Sequence, residues 1–201
     1  MNTFNLIAES GFIWCNEKLE ESCRELADTL FPLNYTMVCN SPRNSHQLDS
    51  NFDKELIKKI NKLKIQGNDL QLPTNLTKEY DAIIKTSIGQ IVIEVEKANW
   101  ERFLYDLLKA HIYLKHGADY CCIILPENWP HKLAVKNLFQ ESKKRLELAI
   151  NYKSGNQSVF ERIFLIGFSQ IWNGNPLRKE GRDKMREECQ RHFKKTEHQT
   201  N

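Results

Sequence analysis

Read for the spacing of its apolar side chains, the chain divides into stretches of helical period and stretches of strand period. Across residues 16–31, Leu19, Cys23, Leu26, Leu30 and Phe31 recur at helical intervals until Pro32 stops the run, which predicts an amphipathic helix. Residues 34–52 are rich in Asn, Ser and Pro and predict a loop, after which FDKELIKKINKLKI resumes a helical pattern until Gly67. Another loop through Pro73 leads to two stretches rich in β-branched residues, 80–85 and 90–97. With Ser87, Ile88 and Gly89 between them, these predict a hairpin. The period then switches: Trp100, Phe103, Leu104, Leu107, Leu108, Ile112 and Leu114 trace a helix that Asn99 can cap and Gly117 follows. DYCCIILP is a continuous apolar run, the signature of a strand buried on both faces. Pro130 opens a further predicted helix through Ile150, and RIFLIGFS supplies another buried strand. Strand, helix, strand, helix, strand is the order of an α/β layer with at least partly parallel pairing.

Length changes that picture little, because 201 residues suffice for one domain with one core. Hydrophobic residues at 40% and charged residues at 27% are ordinary for a globular chain, and no apolar run reaches membrane-spanning length. The segment MNTFNLIAESGF lacks the basic flank and cleavage site of a signal peptide, so the expected compartment is the cytoplasm. There the six cysteines are expected as free thiols; Cys189 and His192 have the spacing of half a zinc site but no second pair nearby. The net charge of +3 permits a polyanionic partner without demanding one. The last third concentrates Lys and Arg in ESKKRLE and LRKEGRDKMREECQRHFKK, which reads either as a nucleic-acid-facing surface or as a solvated helix face of mixed charge.

The hairpin carries the unusual chemistry. Glu94 and Glu96 stand two apart on a predicted strand and so share a face, while Val95 and Lys97 point the other way. Asp81 on the neighbouring strand can reach the same face. Three half-buried carboxylates repel one another and lose hydration unless a positive charge sits among them. Oxygen-only donors select a hard ion, hence Mg²⁺, whose chemistry in such a setting is phosphodiester hydrolysis. The alternative is an edge strand with acids paired to neighbouring Lys and Arg.

An acid on one strand followed by acid-x-lysine on the next resembles the PD-(D/E)xK nuclease superfamily. This chain departs from that pattern by placing Glu96 where the lysine stands, a departure shared with the BamHI-like type II restriction endonucleases. The resemblance continues through EVEKAN, LLKAHIYLKHGADYCCIILP, FLIGF and NGNPLRKEGRDKM and covers roughly residues 78–187. It implies a restriction-endonuclease-like α/β core, a central mixed β-sheet flanked by helices, within a single domain of residues 1–201. A helical N-terminal part (1–75), a catalytic core (76–170) and a basic C-terminal arm (171–201) divide that domain.

By the same resemblance Asp81 and Glu94 are metal ligands with the Val95 carbonyl, and Glu96 replaces the lysine beside the attacking water. Asn99, Arg182, Asp183 and Lys184 are the implied DNA contacts, and Mg²⁺ is the implied cofactor. The partners implied are double-stranded DNA, a second copy in a homodimer, and a cognate DNA methyltransferase. The expected target is a palindromic GATC-centred site such as GGATCC. For the dimer, the helix from 100 to 116 offers His111, Tyr113 and Lys115 off its main stripe. Two other functions compete: a repair or junction nuclease that reads shape, and a non-catalytic DNA-binding protein whose acids are surface charge.

Overall fold

The computed structural model of the protein describes residues 3–39, 48–73, 80–97, 100–131, 134–151 and 157–197. The chain opens with β1 (Thr3–Trp14), α1 (Glu20–Leu30), β2 (Leu33–Cys39), β3 (Leu48–Ser50) and α2 (Phe52–Leu63). The hairpin of β4 (Ala82–Thr86) and β5 (Gly89–Val95) leads into α3 (Trp100–Lys115) and β6 (Tyr120–Pro126). A second small hairpin, β7 (Trp129–His131) and β8 (Ala134–Lys136), precedes α4 (Leu138–Asn151) and the single turn α5 (Gln157–Phe160). The chain then runs through β9 (Ile163–Trp172), β10 (Asn175–Pro176) and α6 (Lys179–Glu197).

One mixed sheet organises these elements in the order β3-β2-β1-β9-β6-β5-β4, with β10 added to β9. The β5–β6 and β6–β9 pairs are parallel and the remaining pairs antiparallel. Alternation along the strands sorts the core into two layers. On one face Ile83, Val92, Cys121, Ile123 and Leu165 pack against Phe103, Leu107 and Leu114 of α3 and Phe139 and Leu146 of α4. On the other, Ile91, Ile93, Cys122, Ile124 and Phe168 meet Leu26 and Leu30 of α1, Phe52 and Leu56 of α2, and Met185 of α6. Adjacent cysteines of β6 thus lie in opposite layers, which is why DYCCIILP is apolar without a break. The expected α/β layering with a central mixed sheet is therefore present, and no described helix is long and apolar enough to cross a membrane.

Several local expectations need correction. The N-terminal third is not only helical: β1 alternates with Phe4, Leu6 and Ala8 buried, and β2 alternates with Leu33, Tyr35, Met37 and Cys39 inward. Of the residues that suggested a loop, Asn34 and Thr36 are outward positions of that alternation, and residues 40–47 lie outside the described residues. Pro130 lies in β7, and the following helix starts at Leu138, where Asn137 Oδ1 accepts the Gln140 N–H at 2.9 Å and caps it. Leu104 and Leu108 lie outside the buried stripe of α3, whereas Tyr113 is buried edge-on to Tyr80. Cys39 and Cys189, expected free, form a disulfide tying β2 to α6 across 150 residues of sequence, with Cα atoms 5.8 Å apart.

The β4–β5 register, which runs from Thr86 opposite Gly89 to Ala82 opposite Ile93, depends on its turn. Gly89 has φ of +128°, and a Cβ there would lie 2.4 Å from Asp119 Oδ2. Asp119 cannot readily yield, because the same oxygen accepts the Gln90 N–H at 2.8 Å. Gly89→Ala is expected to lower the unfolding free energy by about 1–3 kcal/mol in urea titrations; an unchanged midpoint would show that the turn does not depend on glycine.

Candidate active site

The acids of the hairpin lie where β5 runs out of helical cover. One step beyond the Ala82–Ile93 pair the register sets Asp81 beside Glu94, on the face covered by α3. Asp81 donates its N–H to the Ile93 carbonyl at 3.2 Å and accepts the Val95 N–H on Oδ2 at 2.7 Å, so its carboxylate is latched across the hairpin. Asp81 is exposed at the cavity, yet desolvation by the protein around it raises its carboxyl above its ordinary value despite the Val95 N–H, with the Asp53 charge adding to the rise.

Glu94 is 4% exposed. Lys109 Nζ lies 2.9 Å from its Oε1 and 3.2 Å from Asp106 Oδ1, so α3 places one ammonium between two acids. The Glu94 pair lacks hydrogen-bonding direction, and Oε1 is buried without a hydrogen-bond partner. Burial drives the Glu94 carboxyl up to about 7; Lys109 opposes the rise, while Asp81 and Asp106 add to it. Asp106 is also raised by burial. Burial pulls the Lys109 ammonium down, but Glu94 and Asp106 outweigh it and hold its pKa above the ordinary lysine value.

Glu96, 5% exposed, continues the parallel ladder by donating its N–H to the Ile124 carbonyl at 3.1 Å. Lys97 was expected to face away from Glu94 and Glu96, and its ammonium does pair with Asp53 of α2 on the other layer. It lies 5.7 Å from the ring centroids of both Phe52 and Trp129. Yet Asp53, Asp81, Glu94, Glu96, Lys97 and Lys109 all line a single cavity of about 580 Å³ at the strand ends, which Val95, Arg102, Tyr105 and Asp106 complete. It holds five carboxylates against three cationic side chains.

Among the described residues no group of three or more His, Cys, Asp or Glu side chains is arranged to hold a metal ion. The cause is visible in the partners, since Asp81 is directed to the Val95 N–H and Glu94 to Lys109. The donor chemistry nevertheless suits a hard cation. Glu94 Oε1 and Asp53 Oδ1 are buried oxygens without hydrogen bonds, and Mg²⁺ is commonly held by one or two carboxylates with water and phosphate oxygens completing its shell. Asp81 and Glu94, with the Val95 carbonyl, are the groups that could hold it.

Arg182, Asp183 and Lys184 do not line this cavity. Asn99 lies outside the described residues. Arg182 is 4% exposed and paired with Asp183, which also accepts from Lys179 at 2.7 Å, and Lys184 Nζ lies 5.8 Å from the Trp172 ring centroid.

No protein-family model matches the chain, and no curated protein does. Among solved structures, the restriction endonuclease BglII complexed with a DNA 16-mer is similar to it, at 15% identity and a TM-score of 0.46, over 83% of this chain and 78% of that one. A likeness of that size transfers no residue role, and it does not bear on the narrower BamHI-like resemblance.

Sequence reasoning missed Asp53, Arg102, Asp106 and Lys109. Three of them carry a signal, because Arg102, Asp106 and Lys109 recur at helical spacing as a charged stripe on an otherwise apolar helix. Asp53, on the solvent-patterned start of α2, carries none.

A carboxyl whose pKa rises on folding binds more protons folded than unfolded, so stability is highest below the unfolded value and is lost as pH rises through the folded one. With Glu94 moved from 4.5 to about 7, the unfolding free energy is expected to fall by about 3 kcal/mol across that window. Glu94→Gln should remove most of this decline in pH-stepped urea titrations, and an unaltered slope would assign it to other groups.

Proposed function

We propose that the protein is a type II restriction endonuclease, a Mg²⁺-dependent hydrolase of phosphodiester bonds in double-stranded DNA. The observation that carries the reading is Glu94: buried beside Asp81 at the floor of an open acidic cavity, with Oε1 lacking a hydrogen bond. Lys109 Nζ lies 2.9 Å from that oxygen without a directed hydrogen bond, and a buried oxygen in that condition calls for a further partner. In this reading Asp81, Glu94 and the Val95 carbonyl hold the metal, which when bound neutralises charge on the phosphate and acidifies water. Glu96 takes the remaining role. Its carboxylate orients the attacking water and accepts its proton as the new P–O bond forms and the bond to the leaving oxygen breaks.

Arg102 and Lys97 bring positive charge to the same cavity and suit a phosphate backbone. Asn99 and Lys184 remain the DNA contacts implied by resemblance, whereas Arg182 would reach a phosphate only if its pair with Asp183 opened. A palindromic GATC-centred site, a homodimer and a partner methyltransferase complete the proposal. For the dimer, the exposed apolar side chains Leu104 and Leu108 (67%) of α3 and Leu148 (68%) of α4 supply a face on adjacent helices.

Plasmid digestion tests the reading. Discrete fragments are expected with Mg²⁺ and none with a chelator, and Asp81→Asn or Glu94→Gln should slow cutting by more than the 10–100-fold typical of losing a metal ligand's supporting partner. Smeared or structure-dependent products would favour a repair or junction nuclease, and cutting untouched by either substitution would end the proposal. A charged substitution, Leu108→Glu, is expected to halve the mass in light scattering and convert double-strand cutting to nicking at most. A monomeric wild-type protein would remove the dimer.

A further inference from the structure

Lys109 is a cation already seated on the oxygen that the proposed metal needs. Its side chain is 13% exposed, and its ammonium bridges Glu94 Oε1 at 2.9 Å and Asp106 Oδ1 at 3.2 Å. An ammonium and a small divalent ion on one carboxylate oxygen repel at close range, so each weakens the other's hold on it. We propose that Lys109 is the resting counter-ion of this cavity: a divalent ion must displace it from Glu94, and the displaced ammonium stays on Asp106 and meets a phosphate oxygen of the substrate. The inference rests on the reading of the cavity as a metal site and adds to it a residue that competes with the ion.

Three features support displacement. Lys109 meets Glu94 without hydrogen-bonding direction, so the contact is the looser kind of pair. A lysine carries its charge on a flexible four-carbon stem, unlike the planar fork of arginine, and can swing without rebuilding its surroundings. Asp106 lies one helical turn from Lys109 on α3, and the Tyr105 ring centroid is 5.5 Å from Nζ, so the displaced ammonium keeps a carboxylate and an aromatic face. Asp106 thereby has a role that needs no metal contact: it is the positioning residue that retains the lysine. Without Lys109 or a metal, Glu94 would be a buried carboxylate with no cation beside it.

The test is Mn²⁺ binding to the full chain without DNA, followed by electron paramagnetic resonance at one fixed, mildly alkaline pH. Wild type, Lys109→Met, Lys109→Gln and Asp81→Asn would be compared, with urea midpoints confirming that each folds. Both Lys109 variants are expected to bind Mn²⁺ about 10-fold more tightly, a change of the size that neighbours of a metal site produce. They should also cut DNA more slowly despite being better loaded. Equal or weaker Mn²⁺ binding by the folded Lys109 variants, with binding lost in Asp81→Asn, would overturn the competition and leave the metal site standing. Mn²⁺ binding unaffected by Asp81→Asn would overturn the metal reading itself.

Discussion

Strands covered on both faces can carry charge only where the cover ends, and the chemistry of this protein is placed by that constraint. From Ile91 to Glu94 and from Cys121 to Leu125 every side chain of β5 and β6 is buried, so the first positions able to line an opening are at the carboxyl ends of these parallel strands. Glu94, Glu96 and Lys97 lie at that end of β5. Asp81 joins them because the antiparallel neighbour β4 begins where β5 finishes. Ligand sites of open α/β sheets gather at the same end for the same reason.

Crowding acids there has an electrostatic cost that the surrounding helices offset. Desolvation moves Asp81, Glu94 and Asp106 toward their neutral forms; the Asp53 charge adds to the rise at Asp81, and Asp81 and Asp106 add to it at Glu94. Lys109 is the answer from α3, and Lys97, held between two aromatic rings and Asp53, is the answer from the strand end. Neither pair is complete, since a buried oxygen of Glu94 and one of Asp53 have no hydrogen bond. Incomplete neutralisation of this kind favours a site that receives a further cation over a purely structural network.

What could be read in the sequence follows from which interactions are local. The β4–β5 hairpin, the two-sided burial of β6 and the shared face of Glu94 and Glu96 are set by alternation within a few residues. The β1 and β2 alternations are equally local, but the outward Asn34 and Thr36 of β2 read as loop, and β1 is not read as a strand. Centring the α3 stripe required knowing where the sheet lies, because its apolar band is wide enough to be buried on Phe103, Leu107 and Leu114 while exposing Leu104 and Leu108. Asp53 beside Lys97, and Cys39 bonded to Cys189, join residues 44 and 150 positions apart, and no pattern of period 2 or 3.6 reports such pairs.

Glu96 makes sense only against this wider set of charges. An acid at that position deepens the negative charge of the cavity, so positive charge has to arrive from other segments. Lys97 follows it by one residue but is drawn to the opposite layer by Phe52, Asp53 and Trp129, while Lys109 and Arg102 come from α3. The compensating cations are therefore spread over a helix and the far side of the strand. A site assembled this way depends on α3 docking correctly against the hairpin. The Phe103, Leu107 and Val92 packing that seats α3 is thus as much a condition of the chemistry as the acids themselves.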